Sequence, residues 1–304
     1  MNPKSITANS TKSISIEITT CCPLKCVYCE RKIQNKTLTY EEFVKLKELI
    51  DAQKSIERIT FCGIGEAFLH QDIYKMINDL KDYKITIITS GTLLIDFQKL
   101  STHKNVDIII FSIDSISKEK IMDICGQNYN YDNLITNLNN LKLYNKKALK
   151  EHKFINSIIN CTISKENIEA IPSIIDFAAK YKFCSVHYSL PWGNFKLAED
   201  QYSTLKEQFF IAKKKSIKYN IYMEDPFNSF CCITHDHIMP YIDVNGNYYY
   251  CAYSLNRKEP LGNIKITSIE TLRDLPICKE YMSGKLYDEC YMTEFSTLDK
   301  KVKL

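Results

Sequence analysis

Residues 13–29 read SISIEITTCCPLKCVYC, and this stretch decides how the rest of the chain is interpreted. Residues 13–19 alternate polar and apolar side chains, which predicts a strand. Directly after them, Cys22, Cys26 and Cys29 form a Cys-x3-Cys-x2-Cys array. Because thiols at such short spacing are more often metal or iron–sulfur ligands than disulfide partners in a reducing compartment, the array predicts a metal-binding loop.

An iron–sulfur cluster explains the array better than a single zinc ion does. Three cysteine ligands on a cubane [4Fe–4S] cluster leave one iron without a protein ligand, so a substrate or cofactor can bind there. A zinc ion would need a fourth ligand close by, and the loop offers none of suitable type. The remaining alternative is a set of buried cysteines without ligands. In an α/β barrel, the loop at the carboxyl end of a strand is where the chemistry is assembled.

Strand-like and helix-like segments alternate after the loop. A helical periodicity over residues 40–52 precedes a short apolar run at 58–62, which gives a β-α-β start. Later strands are predicted at residues 84–89, 106–113, 154–163 and 185–190, and later helices at 72–83, 93–102, 131–144, 165–181 and 201–219. Six β-α units in this order predict an α/β fold in which a parallel sheet curls into a partial (β/α)6 TIM-like barrel.

The pattern changes after residue 219. Asn245 and Gly246 stand between two β-prone runs, which is a hairpin signal. A short strand from Leu261 and a helix over residues 268–275 follow. The sequence therefore predicts three parts, namely a polar N-terminal tail (1–12), the barrel (13–221) and a small C-terminal α+β domain (222–304).

Composition and charge narrow the class of protein. With 304 residues, 45% hydrophobic and 25% charged, the chain is not intrinsically disordered. A net charge of +4 without a block of Lys or Arg is too weak to indicate nucleic acid. No apolar run approaches the roughly 18 residues of a membrane helix, and residues 1–12 lack the apolar core of a signal peptide. We therefore expect a cytoplasmic protein with neither a nucleic-acid nor a membrane partner.

The residues at successive strand ends resemble those of the radical S-adenosylmethionine (SAM) superfamily. Its cluster loop has the same cysteine spacing and usually an aromatic residue before the last cysteine, as Tyr28 is here. Gly63, Gly65 and Glu66 are similar to the glycine-rich stretch that contacts the SAM amino group in the superfamily. A backbone without Cβ atoms can approach such a ligand closely. Ser90 lies in a Thr-Ser-Gly-Thr segment similar to the superfamily's Thr-Asn-Gly.

Ser112 and Asp114 end the fourth predicted strand, where the superfamily often has Ser-x-Asp. The resemblance implies that Cys22, Cys26 and Cys29 hold a [4Fe–4S] cluster and that the residues from Tyr28 to Asp114 named above bind SAM. Each landmark alone is also explained as a turn glycine, a helix-start acid or an N-cap. Their succession at consecutive strand ends favours the resemblance.

Cys125 marks a departure from the superfamily pattern. Ile124-Cys125-Gly126 stands where the superfamily commonly has Ile-Arg-Gly, with the Arg often meeting the SAM carboxylate. The residue that binds this carboxylate is therefore unassigned. Cys125 is either a small core residue or a thiol near the cofactor, and in the second case it is the candidate catalytic residue that returns a hydrogen atom to the substrate.

A second cysteine set resembles the start of the SPASM and twitch auxiliary-cluster domains of the same superfamily. Cys232, Gly246 and Cys251 are spaced Cys-x13-Gly-x4-Cys, and Cys290 follows in the expected order. The superfamily would end with Cys-x2-Cys, but Thr293 occupies the last position, so the resemblance implies a twitch-type domain with one auxiliary [4Fe–4S] cluster. The candidates for its fourth ligand are Cys231, Cys278, His235, His237 and Glu294. Alternatively, the domain kept its fold and lost the cluster.

The resemblance implies reductive cleavage of SAM to a 5′-deoxyadenosyl radical, which removes hydrogen from a C–H bond of the substrate. Peptide or protein modification, by oxidation, cross-linking or epimerisation, is the preferred hypothesis, although the short stretch before the loop leaves no room for a separate leader-peptide domain. The alternative substrate is a small polar metabolite such as a sugar, an aminocyclitol or a nucleoside. A flavodoxin or ferredoxin-type protein is the implied electron donor. A non-enzymatic iron–sulfur or zinc protein is a remote third possibility.

Overall fold

The computed structural model describes residues 12–29, 35–100, 102–149, 154–189, 199–224, 240–251, 260–272 and 274–282. Their strands are β1 (Ser13–Ile16), β2 (Arg58–Phe61), β3 (Lys84–Thr89), β4 (Val106–Ser112), β5 (Asn156–Thr162), β6 (Ser185–Ser189), β7 (Tyr222–Met223), β8 (Tyr241–Ile242), β9 (Asn247–Tyr249) and β10 (Gly262–Asn263). Their α-helices are α1 (Tyr40–Asp51), α2 (Ile73–Asp79), α3 (Phe97–Leu100), α4 (Lys118–Cys125), α5 (Tyr131–Ala148), α6 (Ile171–Tyr181), α7 (Glu199–Tyr219), α8 (Ile269–Leu272) and α9 (Pro276–Met282). Within the described residues, none of these helices is both long and apolar enough to cross a membrane.

One mostly parallel sheet organises the described part of the chain. Its strand order is β10-β9-β8-β1-β2-β3-β4-β5-β6-β7. From β1 to β7 every neighbouring pair is parallel and consecutive in the sequence. Helices connect most of these strands, as parallel pairing requires. The mixed α/β class with a mostly parallel sheet, predicted from the alternation of segments, is confirmed.

The two faces of the central strands differ in burial, and this difference defines the inside of the sheet. On the face that packs on the helices, Phe111, Ile159 and Val186 have no exposed surface. Tyr188 of β6 lies on the same face, where its ring packs edge-on against Phe209 of α7 at 5.0 Å. Alternate residues of β4 and β5 point the other way and are only half-buried, as is His187 of β6. The face away from the helices is therefore partly open, and we call it the inner face.

Local sequence signals set the start of the longer helices. Thr39 begins α1 with a capping box, since its side chain accepts the Glu42 N–H and the Glu42 carboxylate accepts the Thr39 N–H at 2.8 Å. Phe43 and Ile50, on one face of α1, are completely buried. Asn130 caps α5 in the same way, by accepting the N–H of residue 133.

Four predicted helices are shorter or divided in the structure. Helix α3 begins only at Phe97, because the Asp96 carboxylate accepts the N–H groups of Gln98 and Lys99 and so caps the helix there. The segment 72–83 retains only α2. The segment 165–181 divides into a 3-10 turn and α6, and 268–275 gives only α8, after which Pro276 starts α9. Helix α4 was not predicted, although Ser117 caps it.

The predicted hairpin is present between β8 and β9. Gly246 has a φ of +81°, which glycine adopts without strain. Asp243 holds the turn, since one carboxylate oxygen accepts the N–H groups of Asn245 at 2.8 Å and Asn247 at 3.0 Å. Strands β7 and β8 both belong to the predicted C-terminal part (222–304). Strand β8 pairs with β1 and β7 pairs with β6, so both strands extend the barrel sheet. The division of the chain at residue 222 stays a prediction.

Candidate functional site

The three clustered cysteines lie on the loop that leaves the carboxyl end of β1. Cys22, Cys26 and Cys29 are half-buried thiols without a disulfide. Within the described residues, no group of three or more His, Cys, Asp or Glu side chains is arranged to hold a single metal ion. In a [4Fe–4S] cluster each thiolate binds a different iron, so the ligands are set further apart. Three partly accessible thiols on one short loop fit the donor set of such a cluster.

Main-chain hydrogen bonds hold this loop against the end of α4. The Lys25 N–H donates to the Cys125 carbonyl, and the Val27 N–H donates to the Ile124 carbonyl, both at 2.9 Å. Gly126, with a φ of +96°, ends α4 directly beside Lys25. The segment that departs from the superfamily pattern is therefore the support of the cysteine loop.

Tyr28 and Asp114, both predicted to bind SAM, contact each other. The Tyr28 hydroxyl donates to one carboxylate oxygen of Asp114, and the Thr162 N–H donates to the other at 2.7 Å. Burial raises the pKa of Asp114 to about 6, although hydrogen bonds from Tyr28, Thr162 and Cys125 lower it. Burial also raises the pKa of Tyr28, with a further contribution from the Asp114 charge. The carboxylate thus ties the cysteine loop to the ends of β4 and β5.

The Cys125 thiol belongs to the same buried cluster of side chains. Its exposed fraction is 3%, and its sulfur lies 3.8 Å from a carboxylate oxygen of Asp114. A hydrogen bond with Cys26, followed by burial and the Asp114 charge, raises the pKa of Cys125, so this thiol is neutral at ordinary pH. The structure therefore brings Cys125 next to a predicted cluster ligand. Its role as a hydrogen-atom donor stays a prediction.

The glycine-rich turn after β2 packs directly on the end of β1. A Cβ atom on Gly65 would lie 2.1 Å from the Thr19 carbonyl oxygen, and one on Gly63 would lie 2.5 Å from a carboxylate oxygen of Glu17. Glu17 also accepts the Ile64 N–H at 2.8 Å. Close approach to the backbone of the segment after β1 therefore already requires glycine at position 65. Contact of this turn with SAM stays a prediction.

Glu66 and Ser90, predicted separately as SAM-binding residues, form one hydrogen-bonded pair. The Glu66 carboxylate accepts the Ser90 hydroxyl at 2.6 Å, the Ser90 N–H at 2.8 Å and the Thr89 hydroxyl at 2.7 Å. With 2% of its surface exposed, Glu66 joins the loop after β2 to the loop after β3. Ser90 replaces the asparagine that is usual in the superfamily and supplies two of these hydrogen bonds.

Ser112 begins a row of polar side chains across the inner face. The sequence predicted Ser112 but not the row. Ser112 pairs with Asn160 of β5, and Asn160 pairs with His187 of β6. All three are half-buried. Polar residues at alternate positions of otherwise apolar strands were the available signal. The row lies at the same end of the sheet as the cysteine loop.

The second cysteine set is only partly within the described residues. Cys251 follows β9 and is half-buried, whereas Cys232 and Cys290 lie outside the described residues. Four of the candidate fourth ligands also lie outside them, namely Cys231, His235, His237 and Glu294. Cys278, on α9, has no exposed surface, and burial raises its pKa to about 12. Cys278 is thus a buried, protonated thiol, and it is the one candidate fourth ligand that the described residues include.

A partial parallel barrel with a three-cysteine loop at the end of its first strand defines a class of cluster-binding α/β enzymes. The family model of the Radical SAM superfamily matches residues 16–178, which is more than half of the chain. The chain therefore belongs to the radical SAM superfamily. Members of this superfamily are enzymes, and the fold implies a SAM-binding [4Fe–4S] cluster.

Two curated relatives show similarity over part of the chain. The GTP 3′,8-cyclase of Campylobacter jejuni subsp. doylei is 34% identical over 118 residues, which are 35% of this chain and 36% of that protein. The GTPase Obg of Brachyspira hyodysenteriae is 29% identical over 168 residues, 51% of this chain and 24% of that protein. The chain spans between 24% and 58% of the length of the first curated relatives it matches.

Solved structures share the fold over most of the chain. Streptococcus suis SuiB bound to precursor peptide SuiA has a TM-score of 0.65 at 16% identity, with 90% of this chain and 67% of that chain covered. Native anSMEcpe with bound AdoMet and Cp18Cys peptide has a TM-score of 0.65 at 16% identity, with 93% of this chain and 87% of that chain covered. At this identity the likeness concerns the fold alone.

Proposed function

We propose that Cys22, Cys26 and Cys29 hold a [4Fe–4S] cluster with SAM on its fourth iron, and that the enzyme modifies a peptide or protein. When bound, the cluster and SAM supply a 5′-deoxyadenosyl radical that removes hydrogen from a C–H bond. The observation that carries the proposal is the loop of three half-buried thiols at the carboxyl end of β1, beside the partly open inner face. The electron comes from a flavodoxin or ferredoxin-type donor.

The chain's own residues contribute geometry rather than the radical chemistry. Asp114 and the end of α4 fix the cysteine loop, and Glu66 fixes the neighbouring strand ends. The Asp114 and Glu66 side chains are buried, so their contacts hold the loops in one arrangement before any ligand binds. Preorganisation of this kind keeps a bound cofactor and a substrate C–H bond at a reactive distance.

A peptide substrate has structural support. SuiB and anSMEcpe, whose structures contain peptides, share this fold over 90% or more of the chain. Among the described residues the sheet ends at the two-residue strand β7, next to the half-buried His187 of the inner face. Oxidation, cross-linking and epimerisation are the outcomes open to the substrate radical.

A nucleotide is the second candidate substrate. It is favoured by the 34% identity to the GTP 3′,8-cyclase, which exceeds the 16% identity to SuiB. That similarity covers 35% of the chain. A small polar metabolite, including a sugar or an aminocyclitol, belongs to the same class of alternatives.

We further propose a second, auxiliary [4Fe–4S] cluster held by Cys232, Cys251 and Cys290. Its support is the Cys-x13-Gly-x4-Cys spacing and the half-buried position of Cys251 after β9. Such a cluster would accept an electron from the substrate radical and so direct the reaction toward oxidation. Without it, hydrogen return from a thiol such as Cys125 would give an epimer.

Deuterium transfer distinguishes the two substrate classes. Cells of the source organism are grown in deuterated medium, and their peptide and small-molecule fractions are each incubated with SAM, dithionite and the reconstituted enzyme. We expect deuterium in the 5′-deoxyadenosine only with the peptide fraction, because hydrogen is abstracted from the substrate itself. Label that appears only with the small-molecule fraction would contradict the peptide proposal and support the second candidate.

A further inference from the structure

Three side chains outside the cysteine site lie together on the inner face, at the edge formed by β6 and β7. His187 of β6 lies with its Nδ1 atom 3.4 Å from a carboxylate oxygen of Glu224. Tyr222 pairs with Ser185 in the β6–β7 register, and its ring meets the imidazole edge-on at 6.2 Å. The Glu224 N–H donates to the Val186 carbonyl, which extends the pairing beyond β7. We call Tyr222, His187 and Glu224 the edge cluster.

The edge cluster is accessible, whereas the other face of the same strand is sealed. The exposed fractions of the His187 and Glu224 side chains are 40% and 29%, and that of Tyr222 is 63%. Val186 and Tyr188, which face the helices, are exposed by 0% and 2%. A ligand on the inner face can therefore reach the edge cluster.

The negative charge of Glu224 is not balanced within the described residues. Its ion-pair partner there is His187 rather than any lysine or arginine. Burial lowers the pKa of His187 more than the Glu224 charge raises it, so the imidazole is neutral at ordinary pH. Asp107, an acid on β4, differs in this respect, since Arg58 binds it through two hydrogen bonds of 2.6 and 2.7 Å.

We infer that the edge cluster is a subsite for a cationic group of the substrate, namely the ammonium or guanidinium of a basic peptide side chain. A carboxylate beside an aromatic ring attracts a cation through both its charge and the ring quadrupole. His187 orients the carboxylate, while the Ser185 hydroxyl, 3.2 Å from its Nε2 atom, fixes the imidazole. The inference rests on the proposed function, in which this face binds the substrate.

The position of the edge cluster suits a substrate group that is bound at some distance from the reacting atom. His187 stands two strands from Ser112, which is about 10 Å at the usual spacing of strands. A residue of an extended peptide next to the reacting residue can span about this distance with its backbone and side chain. The Glu224 carboxylate would repel the phosphates of a nucleotide, so the subsite favours the peptide candidate.

Peptide binding to the reconstituted enzyme with SAM tests the inference. The probes are acetyl-Ala-Ala-Lys-Ala-Ala-amide and its Gln and Glu counterparts, with dissociation constants from calorimetry or ligand-observed NMR. We expect the Lys peptide to bind about tenfold more tightly than the Gln peptide, as a partly exposed cation site allows. In Glu224→Gln this preference should vanish, while the Gln peptide binds as it does to the wild type. Tyr222→Leu should reduce the preference severalfold.

Glu166→Gln is the matched control, since Glu166 is an acid outside the edge cluster that pairs with Lys165. It should keep the full preference for Lys. Equal binding of the Lys and Gln peptides to the wild type, or an unchanged preference in folded Glu224→Gln and Tyr222→Leu, would overturn the inference. SAM cleavage by the wild type is measured separately. If cleavage fails while the Lys preference holds, the proposed function is wrong and the cation subsite is not.

Discussion

Asp114 shows how one buried side chain organises the cysteine loop. It receives hydrogen bonds from Tyr28 and from the Thr162 main chain, and its own main-chain carbonyl accepts one from Asn167 at 2.9 Å. The sequence identified Tyr28 and Asp114 separately, but they are 86 positions apart. Their contact follows from the packing of loop against sheet, which no local pattern contains. The sequence thus singled out both residues but not the contact between them.

Asp114 gives a prediction for the dependence of stability on pH. Burial raises its pKa to about 6, so the folded protein binds this proton more tightly than the unfolded chain, whose pKa is near 3.9. The resulting stabilisation is complete below about pH 4 and is lost as the pH rises through about 6. Relative to Asp114→Asn, the wild type should therefore gain about 1 kcal/mol in free energy of unfolding between roughly pH 7 and pH 5.

Urea unfolding of the apoprotein at several pH values measures this difference. Asp132→Asn is the control, because the Asp132 side chain is 81% exposed and pairs only at the surface with Lys118. Its stability relative to the wild type should stay flat over the same range. If the wild type instead loses stability relative to Asp114→Asn on acidification, the pKa of the Asp114 carboxyl group is not raised in the folded protein.

Gly65 gives a second prediction at the residue scale. A methyl group at this position would lie 2.1 Å from the Thr19 carbonyl oxygen, a backbone atom that cannot rotate away as a side chain can. Gly65→Ala should therefore lower the free energy of unfolding by about 3 kcal/mol. In Gly262→Ala the nearest atom is the Thr267 hydroxyl oxygen at 2.8 Å, and a side chain can rotate away, so about 1 kcal/mol is expected. Equal losses in thermal or urea unfolding would contradict this assignment.

The strands of the barrel were predictable as elements because each has a local period. Residues 84–89 were predicted with the bounds of β3, and α1 was predicted to within one residue. Helix α4 was not predicted, because its eight residues form too few turns to show a clear helical periodicity of apolar residues. Its end is nevertheless the element that supports the cysteine loop. Short elements whose stability comes from tertiary contacts are those that sequence patterns miss.

The support by α4 can be tested through the Lys25 N–H. Lys25→Pro removes the donor to the Cys125 carbonyl, whereas Lys25→Ala keeps it. After anaerobic reconstitution, we expect Lys25→Ala to bind iron as the wild type does. Lys25→Pro should lose at least about half of the iron of the first cluster, since its loop is no longer held. Full iron content in Lys25→Pro would show that the loop does not depend on α4.

At the scale of the whole molecule, the sheet of the described residues runs from β10 and the β8–β9 hairpin next to β1 to β7 at its other end. The sequence predicted the class and the parallel order, because alternating segments leave few topologies. It did not predict that β8 adds directly to β1, since a two-residue strand carries no period of its own. The inner face, with its polar row and the edge cluster, also emerged only from the register of the strands.

Iron content tests the proposed second cluster in the intact chain. Two cubane clusters correspond to about eight irons per chain after reconstitution, and Cys22, Cys26 and Cys29 replaced together by Ala should leave about four. The remaining iron should disappear when Cys251→Ala is added. A triple variant that binds no iron would refute the auxiliary site. Iron and acid-labile sulfide are measured on the same samples.

The most direct test of the central claim is the anaerobic cleavage of SAM by the reconstituted enzyme with dithionite, followed as 5′-deoxyadenosine by mass spectrometry. The wild type should produce it, and the triple variant of Cys22, Cys26 and Cys29 should produce none, because the loop thiolates are the proposed ligands of the SAM-binding cluster. Cys184→Ala, which removes an exposed thiol just before β6, should retain full cleavage. Production of 5′-deoxyadenosine by the triple variant at the wild-type rate would contradict the claim.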